Sequence, residues 1–194
     1  MNKNIVAKKQ KSHKKKLIFF DADGTLWYPK RTKYNGRPWW IYFDDKTKDN
    51  PLVHLTLTPR VKTTLKKLKE LGVQTVLIAQ MPYPKYKANK LLTEKTKYFG
   101  IFKYFDQIRA SHAGIRASEP DPKDIAILEV IKDRKIPKSK ALLVGDSYKF
   151  DYLAAKNCGI DCLLIDSFKH TKEYSEYKRV KKRIKNIGEL LDYV

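Results

Sequence analysis

Past a polar opening, the chain alternates short apolar runs with stretches of helical periodicity. Residues 16–20, Lys-Leu-Ile-Phe-Phe, read as a first buried strand. Thr58 and Pro59 then open a helix, with Thr58 as N-cap and Pro59 at the first helical position. Val61, Leu65, Leu68 and Leu71 give it an apolar stripe, and Gly72 stops it. A second buried strand covers 73–79, followed by a helix over 84–97 with Tyr86, Leu91 and Leu92 available for packing. A weaker strand follows at 107–110, then a helix over 121–134 carrying Ile125, Ile127, Leu128 and Ile131. Residues 140–144 form a strand, 148–157 a short helix ended by Gly159, and 161–165 another strand. A terminal helix over 184–193 closes the pattern. This alternation predicts an α/β fold: a doubly wound, Rossmann-like parallel sheet with helices on both faces and an active site at the strands' carboxyl ends.

Residues 28–57 break the alternation. They hold Trp39-Trp40-Ile41-Tyr42-Phe43, a polar stretch with Asp44, Asp45, Asp49 and Asn50, and a second β-prone run over 53–57. Two such runs around a polar turn predict a hairpin or flap inserted after strand one. Trp39, Trp40 and Tyr42 either form a platform at the pocket mouth or pack the insert onto the domain.

The length of 194 residues fits one domain, here 16–194, behind a basic arm of 1–15. The formal charge of +21 changes the picture only at the ends. Residues 1–16 carry seven lysines and no acid, and 169–185 carry eight basic residues against Glu173 and Glu176. These ends supply +13 of the +21, with 169–194 read as a basic helical segment. They either hold the protein near nucleic acid or another polyanion, or serve as a solubilising surface. Cys158 and Cys162 lack metal-finger spacing and read as reduced, packed thiols. No apolar run reaches membrane-spanning length and no signal core follows the basic start, so a cytoplasmic, membrane-free protein is expected.

The chemistry concentrates behind strand one, in Asp21-Ala22-Asp23-Gly24-Thr25-Leu26. Two carboxylates one residue apart at a strand end suit metal-assisted phosphoryl transfer. Asp21 is placed to be nucleophile and Mg²⁺ ligand, and Asp23 to protonate a leaving group. The Gly24-Thr25 turn brings both carboxyls to one pocket, with Thr25 available to the phosphate. Strand 140–144 leads through Gly145 to Asp146, which can complete the oxygen ligands of the ion. Asp151, one helical turn later, can ligate through water or fix a ligand. Lys123 at a helix start is the candidate cation against these anions, with Arg116 as fallback. Beyond strand 73–79, Gln80 either offers an amide to phosphate or is an ordinary loop residue.

The Asp-x-Asp-Gly-Thr-Leu opening, the strand-borne Gly145-Asp146 with Asp151, and the intervening Lys123 resemble the haloacid dehalogenase superfamily. The resemblance spans residues 16 to 166. Thr25-Leu26-Trp27, the short insert before Thr58-Pro59-Arg60-Val61, Leu71-Gly72-Val73 and Lys87-Ala88-Asn89-Lys90-Leu91-Leu92 are similar to its magnesium-dependent phosphatase branch, which lacks a large cap domain. The resemblance implies an aspartyl-phosphate mechanism in which Asp21 attacks phosphorus and Asp23 acts as general acid, then base. It implies Mg²⁺ held by Asp21, Asp146 and the Asp23 backbone carbonyl, with Lys123 as the family lysine and Asp151 as its final acid. The family's second-motif Ser/Thr aligns with Ala79, a departure, and Glu119 occupies the other common lysine position.

An acid at position 23 favours phosphate-ester hydrolysis over dehalogenation, which needs no proton donor there. The expected activity is therefore Mg²⁺-dependent phosphomonoester hydrolysis, on a phosphorylated small molecule or macromolecule. The alternative is a polyanion-binding protein on the same scaffold, with weak or end-directed phosphatase activity.

Overall fold

The structure is a computed structural model and describes residues 14–30, 41–81, 83–112, 122–165, 177–178 and 180–194. Its frame is a six-stranded, all-parallel sheet. The strands are Leu17–Phe20 (β1), Gln74–Met81 (β4), Gln107–His112 (β5), Ala141–Gly145 (β6), Asp161–Ile165 (β7) and Arg183–Ile184 (β8). Their spatial order is β5-β4-β1-β6-β7-β8. β1 lies inside the sheet, with Phe20 level with Leu77 on one side and Val144 on the other. The chain winds outward from β1 through β4 to β5, then returns to lay β6 on β1's other edge. That reversal makes the crevice between β1 and β6 the topological switch point, where sites in such sheets lie.

β1 and β6 are continuous apolar runs because both faces are covered. On one face Ile18, Phe20, Leu77 and Val144 meet Val61, Leu65 and Leu68 of helix Val61–Glu70 (α1) and Ala88 and Leu92 of helix Lys85–Tyr98 (α2). On the other, Leu17, Phe19, Val76 and Leu143 meet helix Pro122–Asp133 (α3) through Ala126, Ile127 and Val130, and helix Leu153–Cys158 (α4) through Ala155 and Cys158. The doubly wound α/β sheet expected from the alternation is present. Cys158 and Cys162 are buried thiols rather than a disulfide. Among the described residues no helix is long and apolar enough to cross a membrane.

Several local expectations are corrected. α1 begins at Val61, and its N-cap is Arg60 with φ 68°, not Thr58. Thr58 N–H is instead drawn to Leu26 C=O, which ties the end of the insert to the loop after β1. β4 and β5 run on to Met81 and His112, because residues 76–81 of β4 keep pairing with residues 107–112 of β5. The insert's antiparallel pair is Trp27–Pro29 (β2) with Leu55–Leu57 (β3). Ile41-Tyr42-Phe43 is turn-like rather than a strand, and buried Ile41 anchors it to the core. Trp39 and Trp40 lie outside the described residues. Tyr86 is exposed, not packed. The expected terminal helix is β8 followed by a 3₁₀ segment, Ile187–Tyr193. Ile184 adds to the sheet beside Ile165, and the Asn186 side chain accepts from Gly188 N–H to start the 3₁₀ turn.

Candidate active site

Both strands at the switch point deliver a carboxylate to it. β1 ends one residue before Asp21, whose N–H donates to Val144 C=O at 2.9 Å and so continues the ladder toward β6. β6 ends at Gly145, and Asp146 follows. The fully buried Thr25 hydroxyl lies between the two carboxylates, 3.4 Å from Asp21 Oδ2 and 3.4 Å from Asp146 Oδ1. It ties the two side chains together from behind.

The residues after β6 form a π-helical turn, Tyr148–Tyr152, leading into α4. The wide turn carries Asp151 back against the strand end. Its Oδ2 accepts from Asp146 N–H at 3.1 Å and Ser147 N–H at 2.9 Å. A Cβ on residue 145 would fall inside the Asp151 carboxyl, so the position requires glycine. Lys123, in the first turn of α3, reaches over this group. Its Nζ donates to Asp21 Oδ1 and to Asp151 Oδ1, both at 2.7 Å. Lys123 and Asp151 are fully buried, and Asp146 is 2% exposed.

One ammonium therefore faces three carboxylates. Burial, followed by the Asp151 charge, raises the Asp21 pKa to about 7. Burial and then Asp21 raise Asp146 well above the ordinary carboxylate range. Burial opposes the charge on Lys123, yet Asp151 and Asp21 outweigh it and its pKa is raised. An oxygen from each of Asp21, Asp146 and Asp151 lies within 4.8 Å of the others. Excess negative charge, an all-oxygen donor set and burial fit a hard divalent cation such as Mg²⁺. Asp151, with both oxygens occupied by protein donors, fits a role behind the ion better than a direct ligand.

Asp23 is set apart from these three. Gly24, at φ 90°, turns the chain so that Gly24 N–H donates to Trp27 C=O at 2.8 Å. The Asp23 carboxyl then accepts on Oδ1 from Trp27 Nε1 at 2.5 Å and from Lys95 Nζ at 2.9 Å. Lys95 was not singled out from the sequence. It is fully buried, 4.8 Å from the Tyr42 ring centroid and 5.4 Å from that of Trp27. A signal for it exists: in α2 it lies on the buried face with Ala88 and Leu92, a charged residue inside an apolar stripe. Burial raises the Tyr42 hydroxyl's pKa, with Asp23 and Tyr83 adding to it. Tyr42 thus sits inside the cluster rather than forming an open platform.

Ala79 and Gln80 separate by strand alternation. Ala79 packs with Phe20, Leu77 and Ala110, on the sheet face covered by α1 and α2. Gln80 follows on the opposite face, that of Phe19 and Ile78, which α3 covers. Its Oε1 is buried with no hydrogen-bond partner among the described residues. Ala79 therefore points away from α3, and Gln80 lies on the α3 side of β4 with Val76 and Ile78. Arg116 and Glu119 lie outside the described residues.

The basic ends are described only in part. Lys15, 8% exposed, donates to Ser139 C=O at 2.7 Å and pairs with Asp161 Oδ2 at 2.5 Å. Lys182 pairs with Asp161 Oδ1 at 2.6 Å. Both lysines thus share the Asp161 carboxyl of β7, Lys15 buried and Lys182 half exposed.

Comparisons with known proteins bear on this geometry. The family model described as haloacid dehalogenase-like hydrolase matches residues 37–165. The match begins beyond Asp21–Leu26, so motif and match are separate observations. A phosphoglycolate phosphatase of Vibrio parahaemolyticus is 34% identical over 103 residues, 53% of this chain and 41% of that protein. One of Pseudomonas fluorescens is 33% identical over 119 residues, 61% of this chain and 40% of that protein. The chain thus spans about two fifths of the length of these curated relatives. Among solved structures, a predicted phosphoglycolate phosphatase from Haemophilus somnus superposes with TM-score 0.65 at 19% identity, over 92% of this chain and 97% of that one. A 2-haloacid dehalogenase from Pseudomonas syringae superposes with TM-score 0.61 at 16% identity, over the same shares of each chain. Likenesses at such identities speak for the fold alone, which one architecture shares between two chemistries. With the matched family model covering most of the sheet and the paired carboxylates at its switch point, the chain belongs to the haloacid dehalogenase-like hydrolases.

Proposed function

We propose that the chain is a Mg²⁺-dependent phosphomonoester hydrolase acting through an aspartyl-phosphate on Asp21. The observation that carries the reading is the division of labour between two carboxylates two residues apart. Asp21 sits among carboxylates and a lysine, whereas Asp23 is turned out of that group into its own setting. The relatives named phosphoglycolate phosphatase support phosphomonoesters as the substrate class.

In this reading Asp21, Asp146 and the Asp23 carbonyl would hold Mg²⁺, which when bound would supply charge screening and polarisation of the phosphate oxygens. Lys123 holds Asp21 Oδ1 and offsets the charge that develops on the transferring group. Asp21 Oδ2 then attacks phosphorus as Asp23 gives its proton to the departing oxygen. Asp23, now a carboxylate, takes a proton from the water that releases phosphate from Asp21. Gln80 supplies an amide on the α3 side of the sheet, where the strand has no serine or threonine. Asp151 keeps Lys123 and the turn after β6 in place.

Hydrolysis of p-nitrophenyl phosphate with and without Mg²⁺, against Asp21→Asn as control, tests the reading. Mg²⁺-dependent turnover that the variant lacks is expected. Absence of turnover, or equal turnover by the variant, would overturn it. A panel of phosphorylated metabolites and oligonucleotide ends then locates the substrate. Salt-sensitive nucleic-acid binding without turnover would return the polyanion-binding alternative, for which no described residue or named relative speaks.

A further inference from the structure

Near the carboxyl end of β4, Gln80 keeps one polar atom unpaired: its Oε1 is buried and accepts no hydrogen bond among the described residues. A buried acceptor left unpaired is costly, so the position calls for a donor. Strand alternation sets Gln80 on the α3 face of the sheet, with Val76 and Ile78. Asp21 follows Phe20 onto the same face of β1, where Lys123 of α3 donates to it. Phe20 is level with Leu77, so Gln80 lies one strand away from Asp21 and farther toward the carboxyl edge. On the other side of β4, the parallel register places Ser111 of β5 level with Gln80. Ser111 therefore shares that face, and it is 4% exposed. The one hydrogen bond its hydroxyl makes among the described residues goes to Ala79 C=O and is 3.4 Å long. That lies beyond the usual range for a hydroxyl donor, so little holds the hydroxyl there.

We propose that Ser111 is a positioning residue for phosphate binding: its hydroxyl donates to Gln80 Oε1 and so turns the amide Nε2 toward the phosphate. The inference deepens the phosphatase reading and rests on it. A carboxamide has a donor end and an acceptor end, whereas a phosphate dianion offers acceptors only. Nε2 is thus the end that serves the phosphate, and Oε1 faces away from it. Turned away and buried, Oε1 needs a donor from the protein. Neighbouring strands stand about 4.8 Å apart, so a level serine hydroxyl comes within reach by rotation about its Cα–Cβ bond. The two hydrogen bonds reinforce each other, because an N–H given to an anion shifts electron density onto the carbonyl oxygen. A hydroxyl on β5 thereby acts on the phosphate at one remove, in a chain whose β4 carries alanine at position 79.

Inorganic phosphate isolates this effect, since it carries the transferred group and no leaving group. Its Ki against hydrolysis of p-nitrophenyl phosphate with Mg²⁺ reads the phosphate contacts directly. Ser111→Ala is expected to raise that Ki about three- to tenfold, the scale of one hydrogen bond. Gln80→Met removes both ends of the amide and should raise it at least as much. A residue that acts through Gln80 has nothing to act on once Gln80 is gone. In the Gln80→Met background, Ser111→Ala should therefore add less than about twofold. A merely structural serine would cost the same factor in both backgrounds, which overturns the proposal and leaves the phosphatase reading intact. An unchanged Ki in Ser111→Ala does the same. Should Ser111→Ala not fold, Ser111→Cys keeps the shape with a weak donor and takes its place in the cycle, judged by the same outcomes. A wild-type protein without Mg²⁺-dependent turnover overturns the phosphatase reading and this inference with it.

Discussion

Two buried lysines in this protein each bind a carboxylate of the Asp21-Ala22-Asp23 motif, and their surroundings differ. Lys123 shares its pocket with Asp21, Asp146 and Asp151, all carried by backbone at the switch point of the sheet. Lys95 meets Asp23 alone, between the rings of Trp27 and Tyr42, under the insert. The first group has an excess of negative charge and oxygen atoms to spare. The second is balanced and walled by aromatic carbon. A dication suits the first, whereas the second already carries its own counter-charge. In the proposed reaction, two residues of chain thus separate the phosphate-bearing side from the leaving-group side.

The comparison is most severely tested by rate. Asp21→Asn replaces a nucleophilic carboxylate by an amide and is expected to cost about 10³-fold or more in turnover. Steady-state hydrolysis with Mg²⁺ measures it, and a variant within tenfold of wild type would deny Asp21 its role.

Stability should next split the two groups in opposite directions. In metal-free protein at pH 8, Asp146→Asn removes one of several crowded buried charges and is expected to raise Tm. Asp23→Asn leaves Lys95 buried without a counter-charge and should cost about 1–3 kcal/mol, read by denaturant unfolding. Shifts of the same sign in both variants would erase the distinction drawn between the groups.

The pH dependence of metal stabilisation sharpens it further. The Asp21 pKa is about 7 in the fold against 3.8 for an ordinary Asp. A raised carboxylate pKa means that the folded state holds its proton more tightly than the unfolded chain does. The fold therefore loses stability from this group as pH rises from 3.8 toward 7. Mg²⁺ binding to the ionised carboxylates offsets that loss. The Tm increase on adding Mg²⁺ should thus be larger at pH 8 than at pH 5.5, by differential scanning fluorimetry. An increase independent of pH would contradict the assignment.

The smallest effect lies far from both groups. Burial favours the neutral form of Asp161, but hydrogen bonds from Lys15 and Lys182 prevail and its pKa is lowered. Such a group stabilises the fold above the ordinary Asp pKa, and the contribution is lost as pH falls through the lower folded value. Lys182 and Asp161 are both more than a third exposed, so Lys182→Met should cost less than about 1 kcal/mol at neutral pH. Its acid unfolding midpoint should lie slightly above that of the wild type.

What could be read from the chain follows the same division. Short apolar runs with helical periods between them specify a doubly wound sheet, because buried parallel strands tolerate little else. Asp21, Asp146, Asp151 and Lys123 are legible because strand ends and helix starts bring them together, and strand ends leave local marks such as Gly145-Asp146. The Asp23 surroundings left no comparable mark. Lys95 is one of 42 basic residues, and its burial depends on how the insert packs on α2. The two β-prone runs of the insert suggested a hairpin of residues 39–43 with 53–57, but the strand that pairs with Leu55–Leu57 is Trp27–Pro29, just after the turn at Gly24. Thr58 was read as a cap from its residue type, yet its backbone N–H is committed to Leu26 and α1 starts later. Ala79 lacks the hydroxyl the resemblance leads one to expect, and strand alternation sets it on the face of α1 and α2, with Gln80 on the other. Local chemistry was visible in the sequence wherever one element's end determined it, and invisible wherever two distant elements had to meet.

Reductive trapping tests the central claim most directly. The protein is mixed with a phosphorylated substrate and Mg²⁺, quenched with borohydride, digested and read by mass spectrometry. An acyl phosphate on Asp21 would be reduced to homoserine, so the peptide containing residue 21 should carry that change only when substrate is present. The same change at Asp23 or Asp146, or none at any carboxylate during active turnover, would contradict the account.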